Sequence, residues 1–210
     1  MKQPRSANNW ILASALVSVA GCAATPPAEF YVLTPMESSS AVVSAAEEGE
    51  GVSLGVGPVR LPHYLDGPQL VTRPAPNRLQ KDEFHRWGGT LEGNLVPVLA
   101  QNLSILLGID DVAMYPWDEP VDPKYRVRLD VLRFDGVLGG SVDLDSRWEI
   151  IGPDPSDRFG LKLLGAGRTA LSEPVAGEDY VGLVAAQSRA LEALSRELAS
   201  ELRAIAGLGR

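Results

Sequence analysis

The alternation of apolar and polar positions is sharpest between residues 125 and 150. Tyr125, Val127, Leu129 and Val131 alternate with Arg126, Arg128 and Asp130, which predicts a strand with one face buried and the other wet. The apolar phase then slips to Leu132 and Phe134. Because side chains of a strand alternate with a period of two, that slip predicts a bulge near Val131. On the return, Val142, Leu144, Trp148 and Ile150 alternate with Asp143, Asp145, Arg147 and Glu149, and Asp135-Gly136 with Gly139-Gly140 supplies the reversal. A third strand over 161–171 extends this hairpin into an antiparallel meander.

Two segments carry the helical period instead. Leu91, Leu95, Val98, Leu99, Ile105 and Leu106 predict a helix from Thr90 to Leu107, with Gly108 as its stop. Pro97 lies inside it, where an interior proline costs about 3 kcal/mol and bends the axis; the segment is still read as one helix. Near the C-terminus, Val181, Val184, Leu191, Leu194, Leu198, Leu202 and Ile205 form one stripe, with Arg189, Glu192, Arg196 and Glu201 away from it. Glu178 and Asp179 suit the positive start of this helix, Arg203 its end and Gly207 its stop. Such a stripe predicts packing against the sheet.

The remaining segments are shorter. FYVLT at 30–34 reads as a first strand stopped by Pro35, and 52–61 as a second, with Val52, Leu54 and Val56 on one side. Between them, 37–51 is small, polar and acidic, a surface loop. Residues 63–87 read as short strands wrapped over an edge, with a turn at Asp66-Gly67-Pro68, and 112–115 as one more strand before Pro116. Together these elements predict a single compact α/β domain, an antiparallel meander with two main helices packed on the sheet.

The first thirty residues belong to a different class. Lys2 and Arg5 precede an apolar run from Trp10 to Ala20 that is too short to span a bilayer, and small residues close it: the layout of a secretory signal peptide. Cys22, the one cysteine of the chain, follows Ala20-Gly21 directly. Val19-Ala20-Gly21-Cys22 resembles the bacterial lipobox, which implies residues 1–21 as a leader, Cys22 as the lipidated first residue of the mature protein and 22–29 as a tether before the domain at 30–207. One acyl chain binds a membrane marginally, at about 0.8 kcal/mol per buried CH₂, whereas two or three hold almost irreversibly. The residue after the cysteine is Ala23 rather than Asp, which in the sorting rule that accompanies the lipobox favours the outer membrane.

Charge narrows the partners. The chain carries a net −8, and removal of a leader holding Lys2 and Arg5 but no acid takes it to about −10. That surface argues against nucleic acid, whose phosphates are neutralised by Lys and Arg, and against a polybasic membrane-surface mode. No second segment of about 18 apolar residues follows the leader.

Catalytic patterns are sparse. Asp82-Glu83-Phe84-His85-Arg86 places carboxylates beside an imidazole, but it lacks the two-histidine helical spacing of a zinc protease and reads as a charged surface turn. There is no Gly-x-Ser-x-Gly elbow, and Gly55-Val56-Gly57-Pro58 lacks the Lys-Ser/Thr of a phosphate loop. No metal or cofactor site emerges, and the reading is non-enzymatic. Tyr64, Leu65, Gln69, Leu70, Arg73 and Trp87 are of types enriched at protein interfaces, so Tyr64, Leu65, Gln69, Arg73 and Trp87 are candidate partner-binding residues.

Several of these segments resemble the ABC-type transport auxiliary lipoproteins, which include the PqiC-like proteins. The resemblance rests on FYVLT after the tether, VSLGVGPVRLPHYLDGPQLVTR, FHRW before a helix ending QNLSILLG, and YRVRLDVLRFDGVLGGSVDLDSRWEI before the terminal helix. PHYLD-x-PQLV-x-R and RFDG-x-x-GG-x-V-x-L are its most specific pieces. It implies a mixed, mostly antiparallel sheet with helices packed on it. It also implies an outer-membrane-anchored periplasmic subunit that works beside an MCE-type protein and an ABC transporter or permease in lipid transport. A homo-oligomer is compatible with it. The competing reading is a lipid-binding carrier with its own apolar cavity.

Overall fold

The long strand at the centre of the sheet has a buried row and a wet row, and its neighbours are arranged around that distinction. In the computed structural model, residues 26–37, 53–110, 112–117 and 122–207 are described; Cys22 and most of the acidic loop lie outside them. The elements run β1 Glu29–Tyr31, β2 Leu54–Arg60, a 3-10 turn at His63–Leu65, β3 Gln69–Ala75, β4 Arg78–Trp87 and α1 Leu91–Leu107. They continue with β5 Val112–Met114, β6 Tyr125–Gly136, β7 Ser141–Asp154, β8 Asp157–Pro174 and α2 Tyr180–Ala206.

β6, β7 and β8 form the antiparallel meander expected from the alternation, with the register shift falling between Val131 and Arg133. β7 occupies one edge of β6 along its length. The other edge is shared: β2 pairs in parallel with residues 125–130, and β3 reaches only the end, where Thr72 meets Gly136. The sheet therefore forks at β6. One branch is β2–β5 and the other is β3–β4–β1, with β1 parallel to β4.

Both helices lie on the face where the apolar row points. Val127, Leu129, Phe134, Leu144 and Ile150 meet Leu95, Leu99 and Leu103 of α1 and Leu183, Leu191, Leu194 and Leu198 of α2 in one core, all nearly inaccessible to water. Each such side chain contributes about 1.5–3 kcal/mol on burial. α1 begins at Thr90, whose hydroxyl accepts from Gly93 N at 3.0 Å, and α2 at Asp179, whose carboxylate accepts from Gly182 N at 2.7 Å. Both stop at glycines in the left-handed region, Gly108 (φ 66°) and Gly207 (φ 71°). Pro97 sits within a continuous α1 on its solvent side, and Val181 is exposed rather than part of the buried stripe, its place taken by Leu183. No described helix is long and apolar enough to cross a membrane.

Three expectations need correction. Residues 69–87 are not short pieces over an edge but a β-hairpin of 7- and 10-residue strands inside the sheet, broken by bulges that turn its alternation irregular. Asp135-Gly136 belongs to β6, so the reversal is made by 137–140, where Val137 N donates to Ser141 O. The strand at 30–34 is only 29–31. Beyond it the chain lies over the helices: Thr34 N donates to Ser188 Oγ at 3.1 Å and Met36 N to Asn102 Oδ1 at 2.8 Å.

Trp148 shows how closely the meander is fitted. Its indole lies against Gly165 and Gly167 of β8 and donates to Thr169 Oγ1 at 3.0 Å. A Cβ on Gly167 would stand 2.3 Å from the ring, closer than carbon atoms approach. Gly167→Ala is therefore expected to destabilise the domain by about 1–3 kcal/mol through overpacking. Urea denaturation checks this; a stability equal to the parent chain would show that the ring has room to shift.

Candidate functional site

The two motif segments singled out in the sequence meet at one carboxylate. Asp135, at the end of β6, has a side chain with no exposed surface, and three donors surround it. Arg73 of β3 makes a bidentate pair, Nε to Oδ1 and Nη2 to Oδ2, both at 2.8 Å. Tyr64 Oη donates to Oδ2 at 2.7 Å, and Arg133 Nε to Oδ1 at 3.0 Å. Arg73 also packs 5.7 Å from the Tyr64 ring centroid and donates to the Pro76 carbonyl, while Arg133 reaches Asp143 of β7 at 2.8 Å. PHYLD supplies the phenol, PQLVTR the guanidinium and RFDG the carboxylate.

The electrostatics follow from that crowding. Burial raises the Asp135 carboxyl, but the hydrogen bonds from Arg73, Tyr64 and Arg133 outweigh it and hold the group below the usual carboxylate range. Burial and the bond to Asp135 push the Tyr64 phenol up to about 12, so it stays a neutral donor. The Arg73 guanidinium is raised by its bonds to Asp135. A carboxylate held by three donors is a poor base and a poor nucleophile, so the cluster is a clasp. It joins the β2–β3 connection, β3, β6 and, through Arg133, β7, across the mouth of the fork.

A second cluster fixes the N-terminal strand. Tyr31 Oη donates to Glu29 at 2.7 Å and lies 2.8 Å from His85 Nδ1. The His85 ring stacks on Tyr180 at 4.1 Å, and Tyr180 Oη donates to Asp82 at 3.1 Å. Burial and the Asp82 charge push the Tyr180 phenol up to about 12. Asp82 also accepts the backbone N–H groups of Phe84 and His85, which makes 82–85 the bulge of β4. Burial raises its carboxyl, and these bonds bring it below the ordinary value. The charged run at 82–86 thus ties β1 and the first turn of α2 to the sheet. No group of three metal-ligating side chains occurs among the described residues.

The candidate partner-binding residues separate in the structure. Tyr64 and Arg73 converge on Asp135. Leu65 and Trp87 are buried in the core, where they support the surface from beneath. Gln69 is half-buried near the surface and donates to Glu83 at 3.3 Å. Cys22, the residue expected to carry lipid, lies outside the described residues. Sequence reasoning missed Asp135, Arg133 and Asp143. The available signal was an aspartate within a strand, read as part of a turn because glycine follows it.

Removing the charge at Asp135 leaves Arg73 without its carboxylate and Arg133 with Asp143 alone. Asp135→Asn is expected to cost about 3 kcal/mol or more, and Tyr64→Phe about 1 kcal/mol. A carboxyl depressed in the folded chain stabilises it above the unfolded pKa, about 4, and that stabilisation is lost as pH falls through the folded value. The parent chain should therefore lose this part of its stability below about pH 4 and Asp135→Asn should not, as read by denaturant melts from pH 7 to pH 3. Parallel pH curves for the two would contradict the assignment.

Comparisons with known proteins agree on the architecture. A crystal structure of an uncharacterized protein matches with a TM-score of 0.65 and 19% identity, covering 84% of this chain and 99% of the other. A Xanthomonas campestris protein of the DUF330 family matches with a TM-score of 0.64 and 19% identity, covering 82% and 93%. At that identity the likeness shows the fold alone. No curated protein matches the chain in sequence. The model of the ABC-type transport auxiliary lipoprotein component family matches residues 31–199, from the first strand to the last turns of α2, and the chain belongs to that family.

Proposed function

We propose that this protein is a non-enzymatic auxiliary subunit of an ABC-type lipid transport system. In this reading, lipid on Cys22 anchors it at the periplasmic face of the outer membrane, and its folded domain docks an MCE-type periplasmic partner. The observation that carries the reading is the convergence of both motif segments on Asp135. The residues that single out this chain build a rigid, ion-paired frame, and its groups are locked in bonds instead of poised for proton transfer. The family's description as an auxiliary component supports the same role.

The anchor and the docking face suit one another physically. Lipid insertion confines the domain to a surface, so the partner is met at high effective concentration and the interface need not be tight. The stretch 63–87 offers surface groups such as Gln69 on a backbone fixed by the buried Leu65 and Trp87. A carrier with its own cavity has less support, since the space between helices and sheet is filled by leucines and the concavities described below are open to solvent.

Cys22→Ser is expected to move the protein from the membrane fraction to the soluble periplasm; retention in the membrane would remove the anchor. Co-purification with the MCE-type and permease subunits of its own transport system, run on the anchored chain, tests the subunit role. Gln69→Ala is expected to reduce that capture several-fold with the fold unchanged by circular dichroism. Failure of the parent chain to capture either subunit would remove the docking role.

A further inference from the structure

The sheet face opposite the helices carries the wet row of β6; Trp117 and Pro123 cover it at the Gly55–Arg126 end. Three concavities of about 500, 360 and 570 Å³ lie on it and share lining residues. The first, beside the Asp135 clasp, shares Leu132 with the second, which shares Arg60, Asp130 and Arg147 with the third. They form one shallow trough along β6 from Val137 to Arg128, roughly 30 Å at about 3.3 Å per residue. The fork accounts for its clasp end: between Asp130, where β2 ends, and Gly136, where β3 joins, β6 lacks a neighbour on that edge.

Arginines outnumber acids in the lining of this trough. Arg60, Arg73, Arg128, Arg133 and Arg147 line it, with Asp130 and Glu149 as its lining acids, in a chain of net −8. Asp135 lies beneath its end, committed to the clasp, with Asp143 beyond Arg133. Two of its internal ion pairs are long and exposed, Arg60–Asp130 at 3.6 Å and Arg128–Glu149 at 3.8 Å, so exchange for an incoming carboxylate costs little. Arg147 is exposed and forms no ion pair within 4 Å among the described residues, although its charge helps to lower the neighbouring Asp145 carboxyl. It stands in one cross-strand row with Asp130 and Arg168, and the Arg168 fork is already occupied by Asp145. Leu132 and Val137, each 39% exposed, add apolar contacts at the clasp end.

From this complementarity we infer that the trough seats an extended acidic segment, about eight residues long, of a partner protein. Guanidinium forks spaced along a strand match carboxylates spaced along another, whereas a lipid requires an enclosed apolar volume for its chains. This inference rests on the proposed docking role and names its surface and the chemistry of its partner. Arg147 and Arg60 are its principal contacts, and the clasp holds Arg73 and Arg133 in place at one end.

The test uses fluorescein-labelled eight-residue peptides of alternating Glu and Leu or alternating Lys and Leu, and phosphatidylglycerol vesicles, with the full mature chain. The Glu-Leu peptide is expected to bind, to weaken as salt rises, and to lose about tenfold in affinity in Arg147→Glu and in Arg60→Glu. Arg196→Glu, on the solvent side of α2, should bind like the parent. No binding of the Glu-Leu peptide, equal binding of the Lys-Leu peptide, or indifference to both reversals overturns the inference. Vesicle binding that depends on Arg147 and Arg60 overturns it in favour of a lipid headgroup. Capture of the transport subunits separates the two readings: capture by the parent and equally by Arg147→Glu removes the trough and keeps the docking role. Peptide binding without capture does the reverse.

Discussion

The carboxylate of Asp135 is the point on which the two branches of the sheet are held together. β6 gives one whole edge to β7 and divides the other between β2 and β3, and β3 is bound to β6 through little more than the Thr72–Gly136 bridge. Backbone pairing alone would leave the β3–β4–β1 branch weakly attached. Arg73 and Tyr64 make good that deficit through charge-assisted bonds to a group with no exposed surface. The arrangement is costly to break, because the Asp135 carboxylate, with no exposed surface, has no water to replace a lost donor.

The clasp also sets where function can reside. The fork leaves an open trough on the wet face, and the bonds that close the fork fix two of the arginines lining it. On the N-terminal side, the Tyr31–His85–Tyr180 cluster and the backbone bonds to Ser188 and Asn102 secure residues 29–36 against the sheet and helices. A domain pulled through its N-terminus would transmit load into the helix–sheet core. Core and open face are thereby separate parts of one fold, in a member of an auxiliary lipoprotein family.

Much of this was legible in the residue pattern. The 125–150 alternation gave the meander, its phase slip gave the bulge at Val131, and the α2 stripe with Gly207 gave the terminal helix and its stop. These features are local, set by periods of two and 3.6 and by left-handed glycines. The β3–β4 hairpin was not legible, because the bulge at 82–85 breaks its alternation and Pro74 and Pro76 mimic loop chemistry. The site was half legible. Tyr64 and Arg73 stood out by residue type, yet their shared partner lies 71 and 62 positions away, and no period connects them. Leu65 and Trp87 have the composition of an interface and the position of a core, a distinction that only the fold makes.

Hydrogen exchange resolved to single amides, comparing the parent chain with Asp135→Asn at pH 7, tests the central claim most directly. If the clasp holds the fork, amides of β3 and β4 lose protection by a large factor, while those of β6, β7 and β8 away from Asp135 fall much less. Equal loss of protection across both branches, or unchanged protection in β3 and β4, would contradict it.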